Sequence, residues 1–254
     1  MKTLAFILLL LNSINISNDY PLKHGKPTSK GIKQYVEVER DSLVIEYQKY
    51  INDTLFDVWI SAEDLTDYVD HDSLELGRYY PNEEIIISTA EFFIAYELAD
   101  LSKLKRALLE ESNKFVKSTV FHELTHDYIN QITREMQYVD KIHVDAAYQT
   151  NIWIIETYEM FGSTFIEEGL CEYMTEDMGE IIPPKRVFIP KTKEDLMNRN
   201  NKYKVNYKYS SHYLKTFLDT IGFKRGVKIL LHNSPPTYEE ILKPDLFFDR
   251  LIKN

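Results

Sequence analysis

Cysteine is almost missing from this chain. Cys171 is the only one among 254 residues, so no disulfide can close within the chain and its stability must come from a core, with a metal as the other available clamp. Long apolar runs are missing too. The longest, Leu4 to Leu11, is less than half of the roughly twenty residues that a membrane span needs. Positive charge is outweighed, with 30 Lys and Arg against 40 Asp and Glu and a formal net charge of -10. Proteins that hold nucleic acid concentrate Lys and Arg on one face to meet the phosphates, so nucleic acid is not an expected partner. Internal repeats and low-complexity blocks are absent as well.

The short apolar run follows Met1-Lys2-Thr3 and gives way to Asn12-Ser13. A charged start, about eight apolar residues and a small polar exit have the form of an export signal, here read over residues 1–18. The chain is then expected to be secreted or held in the cell envelope, without a stable membrane span once the signal is removed. Residues 19–31 carry Pro21, Gly25, Pro27 and Gly31 and read as an unstructured leader. What remains, 32–254, draws on a composition that is 44% hydrophobic and 13% aromatic, enough for one sizeable core and one domain.

The stretch that carries chemistry is Phe121-His122-Glu123-Leu124-Thr125-His126. Residues four apart on a helix lie nearly above one another, so His122 and His126 present two imidazoles to one point, with Glu123 about 100° round the axis. Apolar spacing continues from Phe115, Val116 and Val120 through Tyr128, Ile129, Ile132 and Met136, with no Gly or Pro for about twenty residues, which predicts a helix through the motif. Two imidazoles and an adjacent carboxylate are the ligand pair and general base of a zinc peptidase. The bland alternative is a helix with two surface histidines.

Around the motif the pattern is consistent with a helix over 32–50, where Val-rich spacing leaves a strand open, and predicts a strand over Leu55–Ile60 and a helix start capped by Ser61. A turn at 77–82 and a strand over Glu84–Ser88 follow, then helices over 91–110 and 144–160. Ser163 or Thr164 can cap a helix carrying Glu167, Glu168 and Glu172. Residues 181–204, with Pro183, Pro184, Pro190 and many basic side chains, read as a long loop expected to border a cleft. Helices over Ser210–Thr220, stopping at Gly222, and around Val227–Leu231 and Tyr238–Leu242 complete the reading. The class is α+β and mostly helical, with a small N-terminal sheet.

Downstream of the motif, Glu167-Glu168-Gly169-Leu170-Cys171-Glu172-Tyr173 has a second acidic pattern. Together the two stretches resemble the gluzincins, the zinc peptidase clan that contains thermolysin and the membrane-alanyl-type aminopeptidases. The resemblance runs from about Gly77 to Leu231 and implies a zincin-like domain that binds one Zn²⁺ per chain and hydrolyses a peptide or protein substrate. It implies Glu168 as third ligand beside His122 and His126, Glu123 as general base, and Glu172 and Glu167 as partners of the first and second imidazole. Tyr209, with His212 as a second candidate, resembles the clan's donor to the oxyanion. Forty-one residues separate His126 from Glu168, more than the roughly twenty typical of those two families, so the resemblance reaches the clan and no family within it. The Gly-x-Met-Glu-Asn strand of the aminopeptidases has no counterpart here.

Three protein ligands leave zinc a fourth position for water, whereas a purely structural site uses four ligands rich in Cys. Cys171, beside the acidic pair Glu167 and Glu168, is expected as a small packed residue, because neighbouring carboxylates disfavour a thiolate. A second functional class stays open at this point: a catalytically idle zincin-like domain that binds a protein or cell-envelope partner.

Overall fold

A computed structural model of the chain describes residues 29–63, 77–80, 84–88, 104–138, 162–176, 187–202 and 204–253. The expected signal over 1–18, the leader before residue 29, the first part of the helix expected over 91–110 and the helix expected over 144–160 lie outside them, while 104–110 are helical. The described residues are mostly helical with one three-stranded sheet, an α+β composition. They divide into two compact units. One holds the residues up to Ile45 and from Val58 to Val120; the other holds Glu46–Asp57 and the chain from Phe121 onward.

Helix α1, Ser29–Ile51, begins in the first unit and ends in the second. Ile32, Val36, Leu43, Tyr47 and Ile51 are buried at spacings of four and seven, one stripe of a 3.6-residue period. The helix therefore starts inside the stretch that composition assigns to a leader. Within the first unit, β1 (Ile60–Glu63), β2 (Gly77–Tyr79) and β3 (Ile85–Ser88) form a sheet in the order β1-β3-β2. β1 runs parallel to β3 with Ile60 opposite Ile85, and β2 runs antiparallel with Tyr79 opposite the same residue. Ile85 and Ile87 on the middle strand are buried.

The sheet corrects three local readings. Ser61 is a strand residue and caps no helix, the turn expected at 77–82 opens with β2, and residues 55–59 are not strand. Asp57 adopts φ 52°, a left-handed conformation that breaks an extended run. The strand thus begins only where β3 supplies partners, starting with the Ile85 amide donating to the Trp59 carbonyl at 2.8 Å.

Helix α2, Leu104–Tyr138, carries the histidine motif in its second-unit part. It is followed there by α3 (Gly162–Glu176), α4 (Lys193–Met197), a 3₁₀ turn (Arg199–Asn201), a π-helical turn (Lys204–Tyr209) and α5 (Ser210–Ile221). Helices α6 (Phe223–Leu231), α7 (Tyr238–Leu242) and α8 (Pro244–Lys253) close the chain. The expected long loop is therefore interrupted by structure. Thr192 and Asp195 form a reciprocal capping box that starts α4, and Leu196 is buried. Gly222, at φ 82°, ends α5, its amide donating to the Leu218 carbonyl.

Helix α3 packs chiefly on α5 and the π turn. An aromatic cluster fills the contact: Phe165 lies 5.1 Å from Tyr213 and 5.7 Å from Tyr209, ring centre to ring centre, and Tyr213 reaches Phe247 of α8 at 5.9 Å. Pairs at these separations add to the burial of their area.

Candidate metal centre

The apolar stripe of α2 sets where the histidines face. Phe121, Leu124, Tyr128 and Ile132 are buried, and Tyr47 of α1 braces that stripe. Its ring meets Phe121 edge-on at 5.2 Å, and its hydroxyl donates to Thr125 Oγ1 at 2.9 Å, which donates in turn to the Phe121 carbonyl at 2.8 Å. Glu123 is buried as well. His122 and His126 are left on the next sector of the helix, their ring centres 5.2 Å apart.

Helix α3 brings its acidic face to them. Phe165, Ile166, Leu170 and Met174 fill the core, so Glu167, Glu168, Cys171 and Glu172 occupy the adjoining sector. The approach of α3 to α5 depends on Gly169: a Cβ there would stand 2.8 Å from Ser210 Cβ and 3.0 Å from the Ser210 carbonyl carbon. Any side chain at this position would push α3 away from α5.

The distances sort the four α3 residues. Glu167 Oε1 lies 2.8 Å from His126 Nδ1, a hydrogen bond that orients the ring. Glu168 Oε2 lies 3.2 Å from His122 Nε2 and 3.8 Å from His126 Nε2. That oxygen is fully buried and makes no hydrogen bond. Glu172 Oε1 is 4.0 Å from His122 Nδ1, beyond hydrogen-bond range, while its Oε2 accepts from Lys208 Nζ at 2.7 Å. The expected partner of the first imidazole is thus held by a lysine of the π turn. Finally, one nitrogen of each histidine and the Cys171 sulfur all lie within 4.8 Å of one another.

The electrostatics follow from this crowding. Burial works to raise the Glu168 pKa, yet the His122 and His126 imidazoles and the Tyr207 hydroxyl hold the carboxyl below its usual value. Burial works to lower both histidines, and their close neighbours reverse it. His122 is raised by Glu168 and Glu123, and His126 is raised well above the ordinary imidazole value by Cys171 and Glu167. The Cys171 thiol is pushed up to about 12 by burial, with His126 opposing.

The tyrosine read from the sequence is not the one at this cluster. Tyr209 is buried against Phe165 and Tyr213, and its hydroxyl donates to the Ile241 carbonyl at 2.8 Å. His212 is exposed. Tyr207 stacks on the His122 ring, centres 6.0 Å apart and planes 19° from parallel, and its hydroxyl donates to the Glu168 carboxylate. Both tyrosines belong to Lys204–Tyr209, where the π turn, bonding i to i+5, rotates each side chain away from its α-helical direction. Continuing α5 backward as α-helix misses that rotation. The alternating run Val205-Asn206-Tyr207-Lys208-Tyr209 nevertheless marks 207 as an equal candidate.

The donor set fits a divalent metal. Zinc bonded to nitrogen and oxygen at about 2.0 to 2.2 Å holds neighbouring tetrahedral ligand atoms about 3.3 Å apart. The 3.2 and 3.8 Å spacings from Glu168 Oε2 bracket that figure. An ionised oxygen buried beside two imidazoles without a hydrogen bond is costly unless a cation joins them. In comparisons with protein-family models, curated proteins and solved structures, nothing matches this chain.

Proposed function

We propose that the protein is a zinc-dependent peptidase of the gluzincin kind, exported by its N-terminal segment, with His122, His126 and Glu168 holding the ion. One observation carries the reading: Glu168 Oε2 is buried, makes no hydrogen bond and faces both imidazole Nε2 atoms, while Glu167 takes the far nitrogen of His126. When bound, the metal supplies Lewis acidity toward the scissile carbonyl and lowers the pKa of a water molecule toward neutrality.

The chain's own residues do the remainder. Glu123, buried beside the first imidazole, takes the proton of the attacking water and passes it to the leaving amine nitrogen. Tyr207, stacked on the His122 ring, donates its hydroxyl to the oxyanion that develops on the carbonyl oxygen. It keeps its proton through the neutral range because burial and the Glu168 and Glu123 carboxylates raise its pKa. Glu167 fixes the orientation of His126 by accepting from Nδ1. Lys208 holds Glu172 beside His122, limiting the negative charge that reaches that ring.

Metal analysis joined to a peptide library tests the reading. The purified chain is expected to carry or take up about one zinc and to cleave peptides at neutral pH, with chelation abolishing turnover and zinc restoring it. A zinc-loaded chain that cleaves nothing would support the idle zincin-like domain that binds a protein or cell-envelope partner. A chain that takes up no zinc would overturn both.

A further inference from the structure

The geometry points to Cys171 as a fourth protein donor at this centre, so that a thiophilic divalent ion is closed in by two imidazoles, the Glu168 carboxylate and a thiolate, and peptide turnover waits on displacement of the sulfur. The inference rests on the reading that the centre holds a metal. It goes beyond it in making the resting site a closed one.

Three observations carry it. The Cys171 sulfur lies within 4.8 Å of a nitrogen of each histidine, in a group whose members all satisfy that limit. Cys171 follows Glu168 by three residues on α3, and a helix turns residues at i and i+3 to the same side, as in the Glu-x-x-His pairs with which four-helix bundles hold metals. Glu168 Oε2, buried and without a hydrogen bond, independently marks the space between the helices as a place for a cation. The sulfur is itself fully buried, and no other cysteine exists in the chain to pair with it.

The chemistry balances simply. As the metal–sulfur bond forms, the thiol proton leaves to solvent, because a coordinating thiol is deprotonated outright. For turnover the metal–sulfur bond breaks, the sulfur regains a proton from solvent, and the freed position becomes available to water or substrate. Two imidazoles, one carboxylate and one thiolate leave a divalent ion with no net charge, which suits a resting state and suits Lewis-acid catalysis poorly. Soft thiolate also biases the centre toward zinc, cobalt and cadmium over magnesium and calcium.

Cobalt(II) loaded into the full-length chain reads the ligand set directly. The parent is expected to show an intense sulfur-to-cobalt charge-transfer band in the near ultraviolet together with visible bands of a four-coordinate ion. Cys171→Ser and Cys171→Ala should lose the first and keep the second, and their zinc affinity in chelator competition should fall about tenfold or more. Uptake of one cobalt by the parent with visible bands and no sulfur band would overturn this inference and leave the zinc-peptidase reading standing. No uptake at all would overturn that reading, and this one with it. Because the deciding spectrum is that of the parent, a variant that fails to fold does not blunt the test.

Discussion

Glu168 Oε2 sits 3.2 Å from His122 Nε2 and makes no hydrogen bond to it. Two polar atoms that close usually bond each other when both are buried, since an unmet donor or acceptor costs about 1–3 kcal/mol. Each of the two is fixed by its own helix. His122 follows from the packing of Phe121 and Leu124, and Glu168 from that of Phe165, Ile166 and Leu170. The two helices thus bring a carboxylate oxygen and an imidazole nitrogen together, and on the proposed reading an ion held there links stability, pH response and activity.

Replacing Glu123 by Gln keeps the size of the side chain and removes the base. Zinc content and melting temperature should stay near the parent while hydrolysis falls by about a hundredfold or more. A variant that cleaves as fast as the parent, by single-turnover kinetics, would remove Glu123 from the mechanism.

The two tyrosines of the π turn should separate cleanly. Tyr207→Phe is expected to lower kcat by about a hundredfold with KM and the melting curve little changed, since the lost hydroxyl serves the transition state. Tyr209→Phe removes the bond to the Ile241 carbonyl and should cost about 1–2 kcal/mol in urea unfolding with turnover retained. The reverse pattern would return the catalytic assignment to Tyr209.

Gly169→Ala sets a Cβ against the Ser210 carbonyl carbon, which no rotamer change can relieve. The variant should lose about 1–3 kcal/mol and bind zinc more weakly, because Glu168 rides on α3 and Tyr207 on the π turn that leads into α5, the two elements pushed apart. Parent-like stability together with parent-like zinc affinity would show that the close approach is dispensable.

Removing the metal should invert the pH dependence of stability. In the metal-free chain His122 and His126 titrate above the ordinary imidazole value, so their contribution is complete below about pH 6.5 and is lost as pH rises through their folded values. Glu168, held low, contributes in the other direction: its share is present above the usual carboxyl value of about 4.3 and is lost only as pH falls through its lower folded value. With zinc bound the imidazoles must be neutral, so the melting temperature should rise from about pH 6 to pH 8. Melting curves with chelator and with zinc should therefore slope oppositely between those limits. Parallel slopes would detach the imidazoles from the metal.

Much of this centre is local, and local information is written in the chain. His122 and His126 share a helix sector because they are four apart on an uninterrupted apolar repeat, and Glu168 and Gly169 fall on α3 for the same reason of period. The stops at Gly222 and the caps at Thr192 and Thr237 likewise depend on neighbours a few residues away. What the residues could not announce is whatever rests on a partner far along the chain. Ser61 resembles a helix cap until β3 pairs with its strand, 25 residues on and in parallel. Tyr207 and Tyr209 are equivalent in sequence, and only the π turn packed on α3 sends one to the imidazole and the other to the core. Lys208 claims Glu172 across 36 residues, and Cys171, small and apolar in its own segment, acquires two histidines as neighbours only when α3 meets α2. Helical period is a short-range property of the backbone; which side chains face each other across two packed helices is decided by tertiary contact alone.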